Sequence, residues 1–299
     1  MKKSLIALAV LGASSFAMAQ SSVTIYGVAN VGIGGGTDIK TQMMDQPDGT
    51  GSRLGFKGTE DLGGGLKANF LMENGFFINN GALDNTTNKL FQRQAWMGLS
   101  GGFGELRMGR QYTVGFDTSI WTIPSTRVSA VLGSGLGFNG MGARNDNMFK
   151  YLSPNFSGFS VEASYQLKNN TDPAPNTAEL ALKYANGPLT ANLYANKVKS
   201  LSTGWALNGA YNFGGFAVNA GYIDAPGNGT ARGFHLGAGG TFGAINPWIN
   251  VARNTQAKRT GVDLGANYAL SKRTRLYAVY SRVNNASTNV WGVGVAHNF

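Results

Sequence analysis

The chain has 299 residues, of which 44 are glycine, 11% aromatic and only 13% charged, and it has no cysteine. Those figures exclude disulfide staples and thiolate metal sites, and so much glycine argues against helix. The 25 basic residues against 15 acidic would suit nucleic acid, lipid phosphates or an anion path.

Residues 1–19 carry an export pattern. Lys2 and Lys3 precede a short apolar run, Leu5 to Leu11, and Ala17-Met18-Ala19 is a small-x-small cleavage site. Cleavage is predicted between Ala19 and Gln20, leaving a single domain over 20–299. Export makes nucleic acid a poor partner. Without Lys2 and Lys3 the 25 basic residues fall to 23 against 15 acids, a net +8. The leader run is too short to cross a bilayer as a helix, and no later stretch approaches the ~18 apolar residues a helical span needs.

From residue 22 onward the sequence alternates with period two, which in a strand sends successive side chains to opposite faces. Phe159-Ser-Val161-Glu-Ala163-Ser-Tyr165 and Trp205-Ala-Leu207-Asn-Gly209-Ala-Tyr211 each have one greasy and one wet side. The predicted strands cover 22–34, 51–60, 65–77, 90–100, 105–112, 144–153, 157–168, 177–186, 189–198, 203–213, 216–224, 231–242, 245–254, 259–269, 274–283 and 288–299, sixteen in all. Gly, Asn and Pro mark the short turns, as in Asp61-Leu62-Gly63-Gly64, Gly101-Gly102-Phe103-Gly104 and Asn186-Gly187-Pro188. The alternate connections, such as 35–50, 78–89, 169–176 and 225–231, are longer and more polar. An even number of alternating strands with short turns on one side and long loops on the other predicts an all-β, antiparallel transmembrane barrel. Such a sheet must close, because an unpaired backbone amide in hydrocarbon costs several kcal/mol. Sixteen strands leave an aqueous channel.

Tyr and Trp near strand ends, including Tyr151, Tyr184, Tyr211, Tyr222, Tyr268 and Trp291, are candidates for interfacial girdles. Between Tyr112 and Arg144 lie about thirty residues without alternation. So long an irregular segment is functional or disordered. Its Trp121, Ile123, Val128, Val131, Leu132 and Phe138 favour packing inward. On the last strand Trp291, Val293, Val295, His297 and Phe299 share a face. The terminal Phe299 resembles the assembly signal of outer-membrane proteins.

Val23-Thr-Ile-Tyr-Gly27, Ser52-Arg-Leu-Gly-Phe-Lys-Gly-Thr-Glu-Asp-Leu-Gly63, Arg93-Gln-Ala-Trp-Met-Gly-Leu99 and Phe103-Gly-Glu-Leu-Arg-Met-Gly-Arg110 resemble the trimeric general porins of Gram-negative bacteria, the β-proteobacterial type especially. The resemblance implies a non-specific diffusion channel for small ions and hydrophilic solutes. It also implies an outer-membrane homotrimer set among lipopolysaccharide and inserted by the assembly machinery. Sixteen strands and a third external loop folded into the lumen follow from it too.

Family constrictions oppose an arginine row to acids on the inserted loop. Arg53, Arg93 and Arg144 fall on the basic positions of strands two, four and six. Alternation supports inward facing: Arg53 and Lys57 oppose Leu54 and Phe56, Arg93 is opposite in face to Trp96, and Arg144 opposes Phe149 and Tyr151. Arg107, Arg110 and Arg127 are nearby candidates. Asp117 is the only acid of the loop, and Arg127 offsets it. The cation excess predicts anion preference, unless the arginines pair with Glu73, Glu105, Glu162 or Asp146. A substrate-selective barrel for organic anions and a non-conducting structural or adhesive barrel remain the alternatives.

No enzyme constellation stands out. His235 and His297 have no nucleophile in triad company. Gly135-Leu-Gly137-Phe-Asn-Gly140 spells a dinucleotide fingerprint without its strand–helix context. No cofactor or metal-ligand spacing is read.

Overall fold

The computed structural model describes residues 22–84, 88–118, 143–168, 176–199, 202–225, 231–284 and 288–299. The leader with its junction between Ala19 and Gln20, and Arg127 with the rest of 119–142, lie outside the described residues.

The strands are β1 (Ser22–Gly36), β2 (Ile39–Asp45), β3 (Arg53–Gly63), β4 (Leu66–Gly75), β5 (Gln94–Gly101), β6 (Gly104–Tyr112), β7 (Arg144–Leu152), β8 (Phe159–Gln166), β9 (Thr177–Asn186), β10 (Leu189–Val198), β11 (Gly204–Asn212), β12 (Phe216–Ala225), β13 (Ala231–Gly240), β14 (Ile245–Asn254), β15 (Arg259–Ala269), β16 (Thr274–Val283) and β17 (Thr288–Asn298). A five-residue helix, α1 (Val114–Thr118), follows β6. From β3 onward each strand pairs antiparallel with the next. The last, β17, returns to β1 with Val28 opposite Asn298 and Gly36 opposite Val290. The ring of staves is therefore closed, as hydrocarbon requires; among the described pairings only β2 has a ladder on one edge alone, that with β1.

Seventeen strands make sixteen staves because β2 and β3 lie end to end. Both pair with the same edge of β1: β3 along residues 22–28 and β2 along residues 31–36. The second stave is thus interrupted by residues 46–52. This corrects the expectation of an open loop over 35–50, since most of that stretch is a strand and only its end leaves the wall. Gln46-Pro-Asp-Gly reads as a turn, and Pro47 has no amide to give to a ladder. The fourth stave also starts later than expected, at Gln94.

The two faces have different chemistry. Outward positions carry large exposed apolar residues: Leu180, Leu193, Leu207, Leu236, Ile249 and Val293 are among them. At the short-turn end aromatic rings cluster, with Tyr211, Phe213 and Phe216 in contact at centroid distances of 4.6 and 4.8 Å, and Phe159 against Tyr184 at 4.6 Å. At the other end Trp205 meets Tyr222 at 5.4 Å. Two belts at the ends of an apolar band mark a membrane wall. Inward positions hold Asn208, Asn250, Ser281 and Asp263, along with a buried apolar patch of Ala181, Ala206, Ile223, Ala225 and Ala252 under Val114 and Tyr194. Phe299 closes the seam: its amide and carbonyl exchange 3.1 Å bonds with Gly27. Its ring lies so close over that residue that a Cβ on Gly27 would sit 2.3 Å from it.

Candidate pore constriction

Two acceptors organise the inner wall around β1 and β3–β7. The first is Glu73, buried on β4. Its carboxylate accepts from Tyr26 Oη at 2.8 Å and from Arg93 Nε at 2.7 Å. The second is the Tyr112 hydroxyl, which accepts from Arg93 Nη2 and Arg144 Nη2, each at 2.8 Å. Both lone pairs of one phenol oxygen are thereby used to hold two guanidinium groups together. The Arg144 guanidinium also lies 4.4 Å from the Tyr112 ring centroid and 5.9 Å from that of Phe116. Tyr112 stacks flat on Phe116 of α1 at 4.3 Å. Arg53 joins the group, repelling Arg93 and feeling Glu73 and Tyr112, while its Nε donates to Gly51 O at 3.2 Å. Lys57, exposed on the same inward face, lies 5.2 Å from the Tyr26 ring centroid.

The row therefore sets Arg53, Arg93, Arg144 and Lys57 around one bonded carboxylate, with Asp84 adding a further negative field at Arg93. Among the described residues Arg53, Arg144 and Lys57 make no ion pair. The undescribed stretch 119–142 contains no Asp or Glu that could supply one.

Alternation misplaces Trp96, the residue against which Arg93 was turned inward. Trp96 points inward: it is buried, its Nε1 donates to Gln94, and the Arg107 guanidinium stacks over it at 4.3 Å. Strict parity would then turn Arg93 outward. It faces inward because it precedes β5, its amide bonding Glu73 O at 3.2 Å beside the pairing of Glu73 with Gln94. Around Arg144 the ladder is irregular between Gly109 and Gln111, and Asn147 has φ of 53°. Its partners, not its parity, fix Arg144.

The remaining charges are matched locally. Arg110 donates to Asp146 at 2.8 Å and to Gln92 O at 2.5 Å, and Asp146 also pairs with Lys89. Arg107 pairs with Glu105 at 2.7 Å. Asp117, expected to face the arginines, instead pairs with Lys150. Lys150 in turn pairs with Glu162 at 2.5 Å, and Glu162 with Lys183 at 3.0 Å. Burial pushes the Asp117 carboxyl, which lies on α1 outside the strands, up to about 6; Lys150 pulls it down and Glu162 pushes it further up.

The start of the long loop is held against the inner wall by Glu179. Its carboxylate accepts from the amides of Val114 and Gly115 at 3.0 and 2.9 Å, from Tyr194 Oη at 2.7 Å and from Ser164 Oγ at 2.5 Å. Asn208 Nδ2 reaches Thr118 O at 3.3 Å. The sequence did not single out Glu179; its inward parity in Ala178-Glu-Leu180 was the available signal.

A second inturned piece, residues 46–52, was also missed. Asn30 Nδ2 donates to Asp48 and to Thr50 O, both at 2.7 Å, and Tyr277 Oη donates to Asn30 at 2.7 Å. Arg275 pairs with Asp48 at 2.8 Å. Pro47 presses on the inward backbone of Gly32 and Gly292, where an added Cβ would stand 2.9 and 2.4 Å from its ring. The peptide at Gly51 then carries the acceptor that holds Arg53.

Comparison with known proteins agrees with the barrel fold. A family profile described as Gram-negative porin matches residues 4–289. Outer membrane porin protein 32 of Delftia acidovorans is 33% identical over 330 aligned residues, covering 98% of this chain and 92% of that protein. An outer membrane porin protein of Bordetella pertussis is 30% identical over 392 aligned residues, covering 100% of both chains. The solved structure of an anion-selective porin from Comamonas acidovorans superposes with a TM-score of 0.72 at 25% identity, covering 94% of this chain and 100% of that one.

Proposed function

The chain belongs to the Gram-negative porin family, and from that premise we propose that its channel prefers anions and that Arg53, Arg93, Arg144 and Lys57 set the preference. Membership makes it an outer-membrane channel for passive diffusion of small hydrophilic solutes. The observation that carries the preference is the inward cation row with one bonded carboxylate, Glu73. An anion ~6 Å from one such charge in water is attracted by roughly 0.7 kcal/mol, so the row biases passage without trapping the solute. Planar-bilayer recording tests the reading. It expects stable open channels with a reversal potential of anion sign in a salt gradient, and a cation sign rejects it.

The same reading covers the rest of the chain. Residues 1–19 are removed after Ala19. The segment 113–143 folds into the lumen, which is supported by α1 docking on Glu179 and by the inward apolar patch beyond it. Arg127 then joins the lumen charges, and Arg110 acts through its pair with Asp146. Phe299, sealed over Gly27, is the signal read by the assembly machinery. The chain works as a homotrimer whose contact is the outer face of β1 and β3–β6. There Val23, Ile25, Leu54, Met97, Leu106 and Met108 are exposed, and no outward Tyr or Trp occurs among the described residues. A wall facing another subunit has no need of the interfacial belt that β7–β17 carry. The mass of the detergent-extracted particle tests this, three chains being expected and one chain refuting it.

A further inference from the structure

On the opposite side from that strip, the outer wall over β11–β14 is dented. Gly209, Ala220 and Ala238 are small outward residues on three neighbouring strands, and around them stand Tyr211, Val218, Leu236, Ile249 and Val251. The result is an apolar groove of about 580 Å³. Going up β14 from the groove, the outward positions are Ile249, Val251 and Arg253, unbroken by any register shift. At 3.2–3.4 Å per residue, Arg253 stands ~7 Å above Val251 and ~14 Å above Ile249.

Arg253 lies at the same end of the cylinder as the long connections 76–93 and 113–143, the external end of such a barrel. Its Nη1 donates to Thr260 Oγ1 at 2.8 Å. Two strands away, Arg282 projects outward and exposed, level with Val262 of β15. Among the described residues neither arginine makes an ion pair, whereas the neighbouring Arg232 is matched by Asp224 at 3.0 Å. Cations directed at a membrane wall, and left unmatched at the level where headgroups lie, call for an anionic group. The apolar dent beneath calls for hydrocarbon. The belts of Trp205 with Tyr222 above and Tyr211 with Phe213 and Phe216 below place this face against lipid rather than against another subunit.

We propose that Arg253, Arg282 and the β11–β14 groove form a site for one phosphate-bearing, acylated lipid of the external leaflet, with phosphate on the two guanidinium groups and an acyl chain lying in the groove. Guanidinium suits phosphate because its fork of donors matches the oxygens. The groove fixes one chain out of the fluid layer because its floor lacks side chains that would otherwise fill it. The inference rests on the outer-membrane barrel reading and extends it to a defined lipid contact.

Native mass spectrometry of the detergent-extracted full-length particle tests it, with diphosphorylated lipid A and its dephosphorylated form added in turn. The wild type is expected to retain the diphosphorylated lipid at least tenfold better than the dephosphorylated one. R253Q/R282Q should lose that tenfold advantage. A238F, which fills the groove and leaves the arginines intact, should reduce retention of both forms. Retention by either variant within twofold of wild type overturns the site, as does equal retention of the two lipids. Bilayer conductance of each variant is read in parallel. All should conduct like wild type, so a loss of channels would count against the barrel reading, not the lipid site.

Discussion

Replacing Arg144 by Gln removes one cation from the constriction while leaving a side chain able to donate to Tyr112. Arg144 is the informative choice because it has no carboxylate partner among the described residues, so its field is not already cancelled. A permeant ion passing ~6 Å from the guanidinium in a water-filled lumen gains or loses roughly 0.7 kcal/mol according to its sign. Screening over a Debye length of ~8 Å at physiological ionic strength cuts this to roughly 0.3 kcal/mol. Because an anion gains what a cation loses, the difference between them is about twice that. The anion-to-cation permeability ratio should therefore fall about threefold at 0.15 M salt. At 0.01 M, where the Debye length is ~30 Å, the loss should grow to about sevenfold. Reversal potentials across planar bilayers at the two ionic strengths give the ratio directly. An unchanged ratio, or a change that does not grow as salt is lowered, refutes the assignment of Arg144 to the permeation field.

Glu73→Gln should act in the opposite sense on selectivity, raising anion preference, because it deletes the carboxylate bonded to Arg93 and Tyr26. It should also destabilise the barrel by about 3 kcal/mol, the usual consequence of breaking a buried pair from one side, read as an earlier unfolding transition in detergent. The Asp117 carboxyl, held up to about 6 by burial, should lose its charge as the pH falls through that value. Anion preference then rises from pH 7 to pH 5, and D117N shows no such step. The sign for stability is the same: a raised carboxyl binds its proton more tightly folded than unfolded, so this residue's contribution favours the fold more as pH falls through about 6 and less above it. Gly292→Val places a side chain against Pro47, which already stands 2.4 Å from the position of an added Cβ. It should cost about 1–3 kcal/mol and displace residues 46–52, seen as altered single-channel conductance with the barrel still inserted.

The stave pattern was legible in the sequence. Each predicted strand span meets an observed strand with ends shifted by at most four residues, because two solvents, lipid outside and water within, imprint a period of two on each crossing segment. Closure followed from the same physics, since hydrocarbon tolerates no free edge. The cation row was legible through the family resemblance, which puts Arg53, Arg93 and Arg144 on the basic positions of the second, fourth and sixth staves. Its wiring was not. That Tyr112 joins Arg93 to Arg144, that Glu179 pins α1, and that Lys150 rather than the arginine row takes Asp117 are contacts between residues 15 to 65 positions apart in the chain. Alternation carries no information about partners so distant. Nor does it hold beyond the end of a ladder: Arg93 precedes β5 and turns inward against the parity of that strand, and Trp96 lies on the face opposite to expectation. The amino-acid sequence by itself determined a closed cylinder with a greasy outside and a cationic inside. Tertiary structure alone decided that one stave breaks to send residues 46–52 inward and which acid meets which base, because those outcomes depend on how staves are registered around the ring rather than on order along the chain.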